Sequence, residues 1–331
     1  MQQFAKVISV KKQQDYPSGV FPLVIGPSAQ QSLSDTLSHI QEHRTEMLSQ
    51  LAIHGALLFR GFEVNSPTDF DRVITAFDLE NFTYANSLSN AVRVNITERV
   101  FTANEAPSSV TIFMHHEMAQ TPVFPSKLFF YCEIAPESGG ETPICRSDIL
   151  LERLESVHPD FVSKCDRLGV KYSNTMPNED DPNSGLGRSW RSTLSADTKE
   201  QAEQRLARLN YSWEWISDNT LRATTPVLPI VRELVSGRRV FFNQLIAAFR
   251  GWADKRNDPQ KSIRFGDDSV IPVEDMQMAI DLADELAFDL AWEAGDVVLI
   301  DNFMVMHGRS PFSGSRRVLA SLVADDGTQL V

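Results

Sequence analysis

The sequence is poor in cysteine and contains no long apolar run. Its 331 residues include three cysteines, Cys132, Cys145 and Cys165. An odd number without a C-x-x-C pair indicates reduced thiols that pack in the core of a cytoplasmic protein. No stretch reaches the roughly 18 apolar residues of a membrane-spanning helix, and the first residues do not resemble a secretion signal. These absences argue against a disulfide scaffold and predict a soluble chain without membrane contact.

Positive charge is also scarce in this chain. The formal net charge is -13, from 31 Lys and Arg against 44 Asp and Glu. A chain of this charge without a basic stripe repels a phosphate backbone, so nucleic acid is not an expected partner. The motifs G-x-G-x-x-G and G-x-x-x-x-G-K-[ST] are absent too, which argues against a nucleotide-binding fold.

The order of predicted elements favours a single domain over residues 1–331, since no repeat or long linker divides it. Short β-like runs near both ends, with helices between them, predict a mixed α/β fold with a mainly β core, a sandwich or barrel decorated by helices. A segment rich in Asn, Asp, Pro and Gly at 174–189 predicts a long loop that acts as a lid. Helices are predicted over residues 32–50, 68–77, 147–157, 199–209 and 273–287.

The most informative stretch is TIFMHHEMAQ, in which one residue separates His115 from Glu117. On an extended strand, side chains at i and i+2 leave the same face, so these two can bind one ion while His116 points away. His307 ends the apolar run DVVLIDNFMVMH and is the candidate third ligand. Two imidazoles and one carboxylate form the facial set of non-haem Fe(II) oxygenases, although zinc hydrolases use similar ligands.

A pair of arginines, Arg316 and Arg317, begins the next predicted strand. Strand alternation places only one of them inside. A guanidinium presents a planar fork that matches a carboxylate, so it suits the distal carboxylate of 2-oxoglutarate. H-x-E recurs by chance and paired arginines are usually solvated, so the metal hypothesis depends on the order of these features along the chain.

These blocks resemble the TauD/TfdA family of Fe(II)/2-oxoglutarate dioxygenases, and within it the clavaminate synthase-like branch, whose metal motif carries Glu in place of Asp. The resemblance covers most of the chain and implies a double-stranded β-helix, or jelly roll. It implies that His115, Glu117 and His307 hold Fe(II). It also places Arg317 and Thr142 at the 2-oxoglutarate carboxylate. The blocks are ALLFRGF, VFTANEAP, MHHEMAQTPVFPSKLFFYCE, GGETPI, GDVVLIDN and HGRSPFSGSRRVLASL.

The resemblance also narrows the activity. Ser321 stands where the sulfonate-binding member has a second arginine, which argues against a taurine-like substrate. Glu117 is intact, whereas related halogenases carry a small residue at that position. The implied reaction converts 2-oxoglutarate and O2 to succinate and CO2 and hydroxylates a substrate, with desaturation and epoxidation left open.

The substrate is the least constrained part of this interpretation. The resemblance implies a small acid or an amino-acid-derived compound, and a carrier-tethered substrate stays open. The oligomeric state is not predicted. Two other classes also stay open: a zinc-dependent hydrolase with the same ligands, and a non-catalytic metal-binding protein of the same fold. Candidate substrate residues are Asn243, Arg188, Trp190 and Arg93, with Asn90 as an alternative to Arg93.

Overall fold

The structure is a computed structural model that describes residues 4–82, 88, 93–103, 106–181, 187–216, 219–252 and 254–324. Within these residues, each of the five predicted helices coincides with a helix to within a few residues. The described helices are α1 Leu33–His54, α2 Pro67–Ala76, α3 Ser147–Val157, α4 Pro159–Leu168, α5 Trp190–Leu194, α6 Lys199–Arg208, α7 Leu245–Gly251, α8 Pro259–Ser262 and α9 Val273–Glu285.

The strands occur throughout the chain, and most are short. In chain order they are β1 Ala5–Val7, β2 Gln14–Tyr16, β3 Gly19–Phe21, β4 Leu23–Pro27, β5 Ala56–Phe59, β6 Glu80–Asn81, β7 Phe101–Thr102, β8 Ile112–His115, β9 Lys127–Ile134, β10 Ser138–Gly139, β11 Thr142–Arg146, β12 Val170–Met176, β13 Ser212–Ile216, β14 Thr220–Thr224, β15 Val231–Glu233, β16 Arg239–Phe241, β17 Ile263–Phe265, β18 Phe288–Leu290, β19 Val297–Asp301, β20 Val305–Arg309, β21 Phe312–Ser313 and β22 Arg317–Ala324.

Three larger sheets contain most of these strands, and the remaining ones form two-stranded pairs. The largest has the order β1-β4-β5-β19-β9-β22-β6, and β7 also pairs with β22. A four-stranded sheet has the order β18-β11-β20-β8, and a second one has the order β13-β14-β12-β17. Because β4 and β5 are parallel while the other recorded pairs are antiparallel, nearly all of the sheet structure is antiparallel. The fold is therefore mixed α/β with a sheet-rich core, as predicted.

The largest sheet is covered on both faces, which explains its continuous apolar strands. On β19, Val298 and Ile300 pack in a cluster with Ile144 and Val305 of the facing sheet. Their neighbours Val297 and Leu299 pack in another cluster with residues of α1 and α2. Alternate side chains leave opposite faces of a strand, so a strand buried on both sides needs apolar residues at every position.

Several boundaries differ from the sequence prediction. The first helix continues past Gln50 to His54, where Gly55 (φ 79°) provides a left-handed C-cap. The apolar run DVVLIDNFMVMH forms two strands, β19 and β20, so His307 lies in the middle of β20 and does not end a strand. Local apolar content could not show this turn, because both strands that flank it are buried.

Other predicted segments are shorter than expected. In RVNITERVFT, strand structure is limited to β7 and a bridge at Asn95, and the strand in RRVFFNQL ends at Phe241. The predicted loop begins after Met176, because 174–176 belong to β12. Residues 177–181 and 187–189 carry no helix or strand, while 182–186 lie outside the described residues. The lid therefore stays a prediction.

The three cysteines are all buried, as predicted for core residues, and none forms a disulfide. Burial raises the pKa of Cys132 and of Cys145 to about 12. Among the helices of the described residues, none has both the length and the apolar character needed to span a bilayer.

Truncating a side chain between the two facing sheets should destabilise the fold. Ile300 is fully buried on β19, whereas Ile134 at the end of β9 is 42% exposed. We expect Ile300→Ala to lower the free energy of unfolding by about 2 to 5 kcal/mol, because it leaves a cavity. The matched change Ile134→Ala should cost only about 0.5 kcal/mol. Urea unfolding of both variants tests this, and equal losses would contradict the two-faced burial of β19.

Candidate active site

The two candidate histidine ligands are placed by strand pairing. On β8 and β20, His115 and His307 are direct partners, and their ring centroids are 4.4 Å apart. Gly308 follows His307 at a point where a Cβ atom would lie 2.5 Å from the carbonyl oxygen of Ile112. Only glycine permits this close approach, so Gly308 allows the two strands to bring both imidazoles together.

Glu117 joins the histidines from the turn that follows β8. Its Oε2 lies 3.6 Å from Nε2 of His307. One potential ligand atom from each of His115, Glu117 and His307 lies within 4.8 Å of the other two. His116 points away: its Nε2 donates to Ser147 Oγ, and its Nδ1 accepts a hydrogen bond from the backbone N–H of Asn243. The structure therefore brings together the three residues that the spacing selected, although Glu117 lies just beyond the strand.

The donor set suits a divalent metal ion. His115 Nδ1 lies 2.8 Å from the carbonyl oxygen of Phe113, which it can only approach as a donor, so Nε2 is left with its lone pair for a metal. Burial, followed by the effect of His307, lowers the pKa of His115 to about 4, so this imidazole is neutral near pH 7. Neutral imidazoles with a carboxylate fit Fe(II) as well as Zn(II).

The carboxylate of Glu117 is buried but paired. Arg93 Nη2 donates to Glu117 Oε1 at 2.9 Å, and both side chains are less than a tenth exposed. Burial alone raises the pKa of Glu117, but Arg93 and then His307 and His115 outweigh it, so the pKa falls well below its ordinary value. Arg93 therefore lies at the candidate metal site, in contact with a ligand. The sequence interpretation had assigned it to substrate.

Asn302 holds the backbone of the candidate ligand Glu117, and sequence reasoning did not find it. It is fully buried in the turn between β19 and β20. Its Oδ1 accepts from the backbone N–H of Glu117 at 2.8 Å, and its Nδ2 donates to the carbonyl oxygens of Glu117 and Pro125. A polar amide within an apolar run was the available signal, because a buried amide must find partners.

The paired arginines face in opposite directions. Arg317 forms an ion pair with Glu133 at 2.8 Å, and its side chain is 46% exposed. Arg316 instead donates to the carbonyl oxygen of Gly140 at 3.0 Å and lies 3.5 Å from Thr142 Oγ1. Burial, together with the nearby Arg309, lowers the pKa of Arg316 to about 10, so it stays protonated at neutral pH.

This geometry disagrees with the placement of Arg317 beside Thr142. On β22, Val318 packs between the two facing sheets, while Leu319 packs against the helix side. The pairing of β22 with β9 shifts register between Arg317 and Val318, so strand alternation does not decide which arginine faces inward. The contacts of Arg316, the residue before β22, with Gly140 and Thr142 identify it as the inward arginine.

Thr142 is buried on the same face of its sheet as His307. It is buried on β11, two residues before Ile144, which is the direct partner of His307. Residues two apart share a face, so Thr142 lies on the same face of the sheet as His307. Its Oγ1 also accepts a hydrogen bond of 3.0 Å from Trp292 Nε1.

The other candidate substrate residues have structural contacts. The amide of Asn243 bonds to the backbone of Phe241 and Leu245. Arg188 donates to Ser192 at the start of α5. Trp190 is buried, and its Nε1 donates to the carbonyl oxygen of Asn219. None of these contacts involves the three candidate metal ligands, and Asn90 lies outside the described residues.

Residues 17–322 match the model of the family described as taurine catabolism dioxygenase TauD, TfdA family. The chain belongs to this family and is therefore an Fe(II)- and 2-oxoglutarate-dependent oxygenase that uses O2, as the sequence predicted.

Two curated proteins resemble the chain over most of its length. A clavaminate synthase-like protein of Arabidopsis thaliana is 42% identical over 320 residues, which are 95% of this chain and 96% of that protein. The dapdiamide synthesis protein DdaC of Enterobacter agglomerans is 29% identical, over 91% and 90% of the two chains.

A solved structure shares the fold. The crystal structure of PvcB from Pseudomonas aeruginosa matches with a TM-score of 0.55 and 15% identity, over 98% of this chain and 95% of that chain.

Removing the Asn302 amide should loosen the site. We expect Asn302→Ala to destabilise the protein by at least about 2 kcal/mol, because it leaves buried backbone groups of Glu117 and Pro125 without a partner. It should also weaken Mn(II) binding about 10- to 100-fold, as is usual when a group that orients a metal ligand is lost. Urea unfolding and electron paramagnetic resonance titration measure the two effects.

The control is Asn65→Ala, since Asn65 is exposed. This substitution should change neither the free energy of unfolding nor the affinity for Mn(II). Unchanged Mn(II) affinity in well-folded Asn302→Ala would show that Asn302 does not position Glu117.

Proposed function

We propose that the chain hydroxylates a small molecule at a metal centre formed by His115, Glu117 and His307. The observation that carries this assignment is the convergence of their ligand atoms within 4.8 Å. The partly buried Arg316 beside the buried Thr142 of β11 adds the carboxylate site that a hydrolase would not need. Bound Fe(II) supplies the redox chemistry in which O2 and 2-oxoglutarate are consumed, and the protein supplies position and surroundings.

The topology supports a double-stranded β-helix, or jelly roll, for the core. The strands β9, β19 and β22 form the centre of one sheet, and β11, β20 and β8 form most of the facing one. Side chains from both sheets share one apolar cluster. The candidate metal ligands lie at the β8–β20 pair of the smaller sheet, so a rigid element holds both histidines.

Arg316 is the residue that binds the distal carboxylate of 2-oxoglutarate in this proposal, in place of Arg317. Its guanidinium is partly buried and protonated and lies beside Thr142 Oγ1, so the guanidinium and the threonine hydroxyl can bind one carboxylate together. Gly140 leaves room for it, because a Cβ there would lie 3.0 Å from Arg316 Cδ. Arg317 already has a carboxylate partner in Glu133 and stays partly in water.

The roles of the remaining residues follow from their contacts. Arg93 and Asn302 hold Glu117, so the carboxylate keeps one orientation when a metal binds. Phe130 packs against the ring of His307 with centroids 5.2 Å apart and limits access of water from that side. This exclusion strengthens the electrostatic interactions at the site.

An amino-acid-derived or other small acidic compound is the proposed substrate class. The name of the Enterobacter relative, a dapdiamide synthesis protein, supports a product of specialised metabolism. PvcB, which shares the fold, is described as an Fe, alpha-ketoglutarate dependent oxygenase from an isonitrile synthetic pathway. A carrier-tethered form of the substrate belongs to the same proposal.

The arginine assignment can be tested with a matched pair of variants. We expect Arg316→Ala to weaken 2-oxoglutarate binding by about 10- to 100-fold, because charge-assisted hydrogen bonds contribute about 1.5 to 3 kcal/mol. Arg317→Ala should bind within about twofold of wild type, since its partner is Glu133. Anaerobic titration of the Fe(II)-loaded proteins, followed by the visible charge-transfer band of the chelate, gives the affinities.

The reverse result, loss of the band in Arg317→Ala alone, would restore the assignment implied by the family resemblance. His307→Ala serves as the metal control, because loss of a ligand should remove the band at any 2-oxoglutarate concentration. A band that is absent from folded, iron-loaded wild type would reject the oxygenase mechanism at this site.

A further inference from the structure

A cavity lies beside the turn that carries Glu117. One wall is formed by Tyr172, Asn174 and Met176, alternate residues on one face of β12. Gln120 and Thr193 also line it, the first from the turn after β8 and the second from α5.

The lining carries no formal charge. Among the described residues that form this cavity, none is Asp, Glu, Lys, Arg or His. An ionised carboxylate or ammonium that entered would lose its hydration without gaining a countercharge, at a cost of several kcal/mol. Two aromatic rings, Tyr172 and Trp252, contribute apolar surface, with centroids 5.9 Å apart. The cavity therefore suits the uncharged part of a molecule.

Two polar atoms in the lining have no hydrogen-bond partner within the described part of the chain. They are Oε1 of Gln120 and Oγ1 of Thr193. Both residues are buried, with 7% and 4% of their surface exposed. A buried amide oxygen left without a donor costs about 1 to 3 kcal/mol, which an N–H or O–H of a ligand would recover. The unpaired Gln120 oxygen therefore favours a ligand that carries a hydrogen-bond donor.

The cavity adjoins the segment that carries Glu117. Gln120 is three residues from Glu117, in a turn closed by the hydrogen bond from Thr121 N to the carbonyl oxygen of Met118. On the opposite wall, Tyr172 Oη accepts from the backbone N–H of Gln244. The side chain of Gln244 donates to the carbonyl oxygen of His116. A molecule bound to Gln120 would lie next to the metal motif.

We propose that this cavity binds an uncharged, largely apolar part of the primary substrate, whose amide N–H or hydroxyl donates to Gln120 Oε1. The inference rests on the oxygenase function proposed above and specifies its substrate. An acidic or amino group of that substrate lies outside the cavity. The chemical class is thus an amide- or hydroxyl-bearing apolar compound.

Three probes of similar shape test the inference on the full-length protein. Phenylacetamide is neutral and donates, phenylacetate is charged, and methyl phenylacetate is neutral without a donor. Ligand-observed nuclear magnetic resonance at millimolar concentration should give binding in the order amide, ester, carboxylate, with the amide about tenfold tighter than the carboxylate, as expected for one hydrogen bond gained and no charge buried.

Two variants then test the atoms involved. Gln120→Leu should weaken phenylacetamide about tenfold and leave the ester unchanged, whereas Gln277→Leu, on the exposed face of α9, should change neither. Thr193→Val removes a hydroxyl without changing shape and gives a second test if Gln120→Leu fails to fold. Equal affinity for amide and carboxylate, absence of binding by all three probes, or an unchanged amide-to-ester ratio in the folded variants would overturn the proposal.

Mn(II) separates this inference from the proposed function. If both are correct, Mn(II) should accelerate the relaxation of the protons of bound phenylacetamide, and His307→Ala should abolish that effect. If the protein binds the amide selectively but Mn(II) does not accelerate proton relaxation, the uncharged binding site is supported. Its location beside the metal centre is then rejected.

Discussion

The ion pair between Arg93 and Glu117 is the interaction on which the geometry of the candidate centre depends. Without a partner, a carboxylate buried between two imidazoles would pick up a proton and lose its capacity to bind a cation. Arg93 keeps it ionised and occupies Oε1, which leaves Oε2 directed towards His307. Oε2 is thus positioned for a metal ion even in the metal-free protein. The cost is the desolvation of two buried charges, those of Arg93 and Glu117.

The backbone around Glu117 is fixed in a complementary way. Asn302 forms hydrogen bonds with both the N–H and the carbonyl oxygen of Glu117, and it also bonds to Pro125. Asn302 belongs to the turn between β19, in the larger sheet, and β20, in the smaller one. The Asn302 amide therefore couples the position of the Glu117 carboxylate to the packing of the two sheets. A change in that packing should shift Glu117.

Much of this site could be predicted from the sequence, because side chains on a strand alternate between its two faces with a period of two residues. The i, i+2 spacing selected His115 over His116, and both side chains lie where that rule directs them. The choice between Arg316 and Arg317 could not be made in this way. The strand that follows them, VLASLV, is buried on both faces and shows no alternation of apolar and polar residues from which its inner face could be read.

The predicted substrate residues show a second limit. Trp190 follows a segment rich in turn-forming residues and Asn243 stands in the apolar stretch FFNQLIAAF, and neither local composition shows which partners the side chain has. Both prove to be buried and to bond to backbone groups. The residues of the uncharged cavity come instead from distant strands and helices, and their convergence depends on a topology that local patterns do not encode.

The burial of all three thiols has a practical consequence for experiments on this protein. Cys132, Cys145 and Cys165 are each sealed in the core, and burial raises the pKa of every one of them. Because the thiolate is the reactive form, maleimides and iodoacetamides have no ready target in the folded chain. A cysteine introduced on the surface can therefore carry a fluorophore or spin label at a single known position, with the native cysteines left in place.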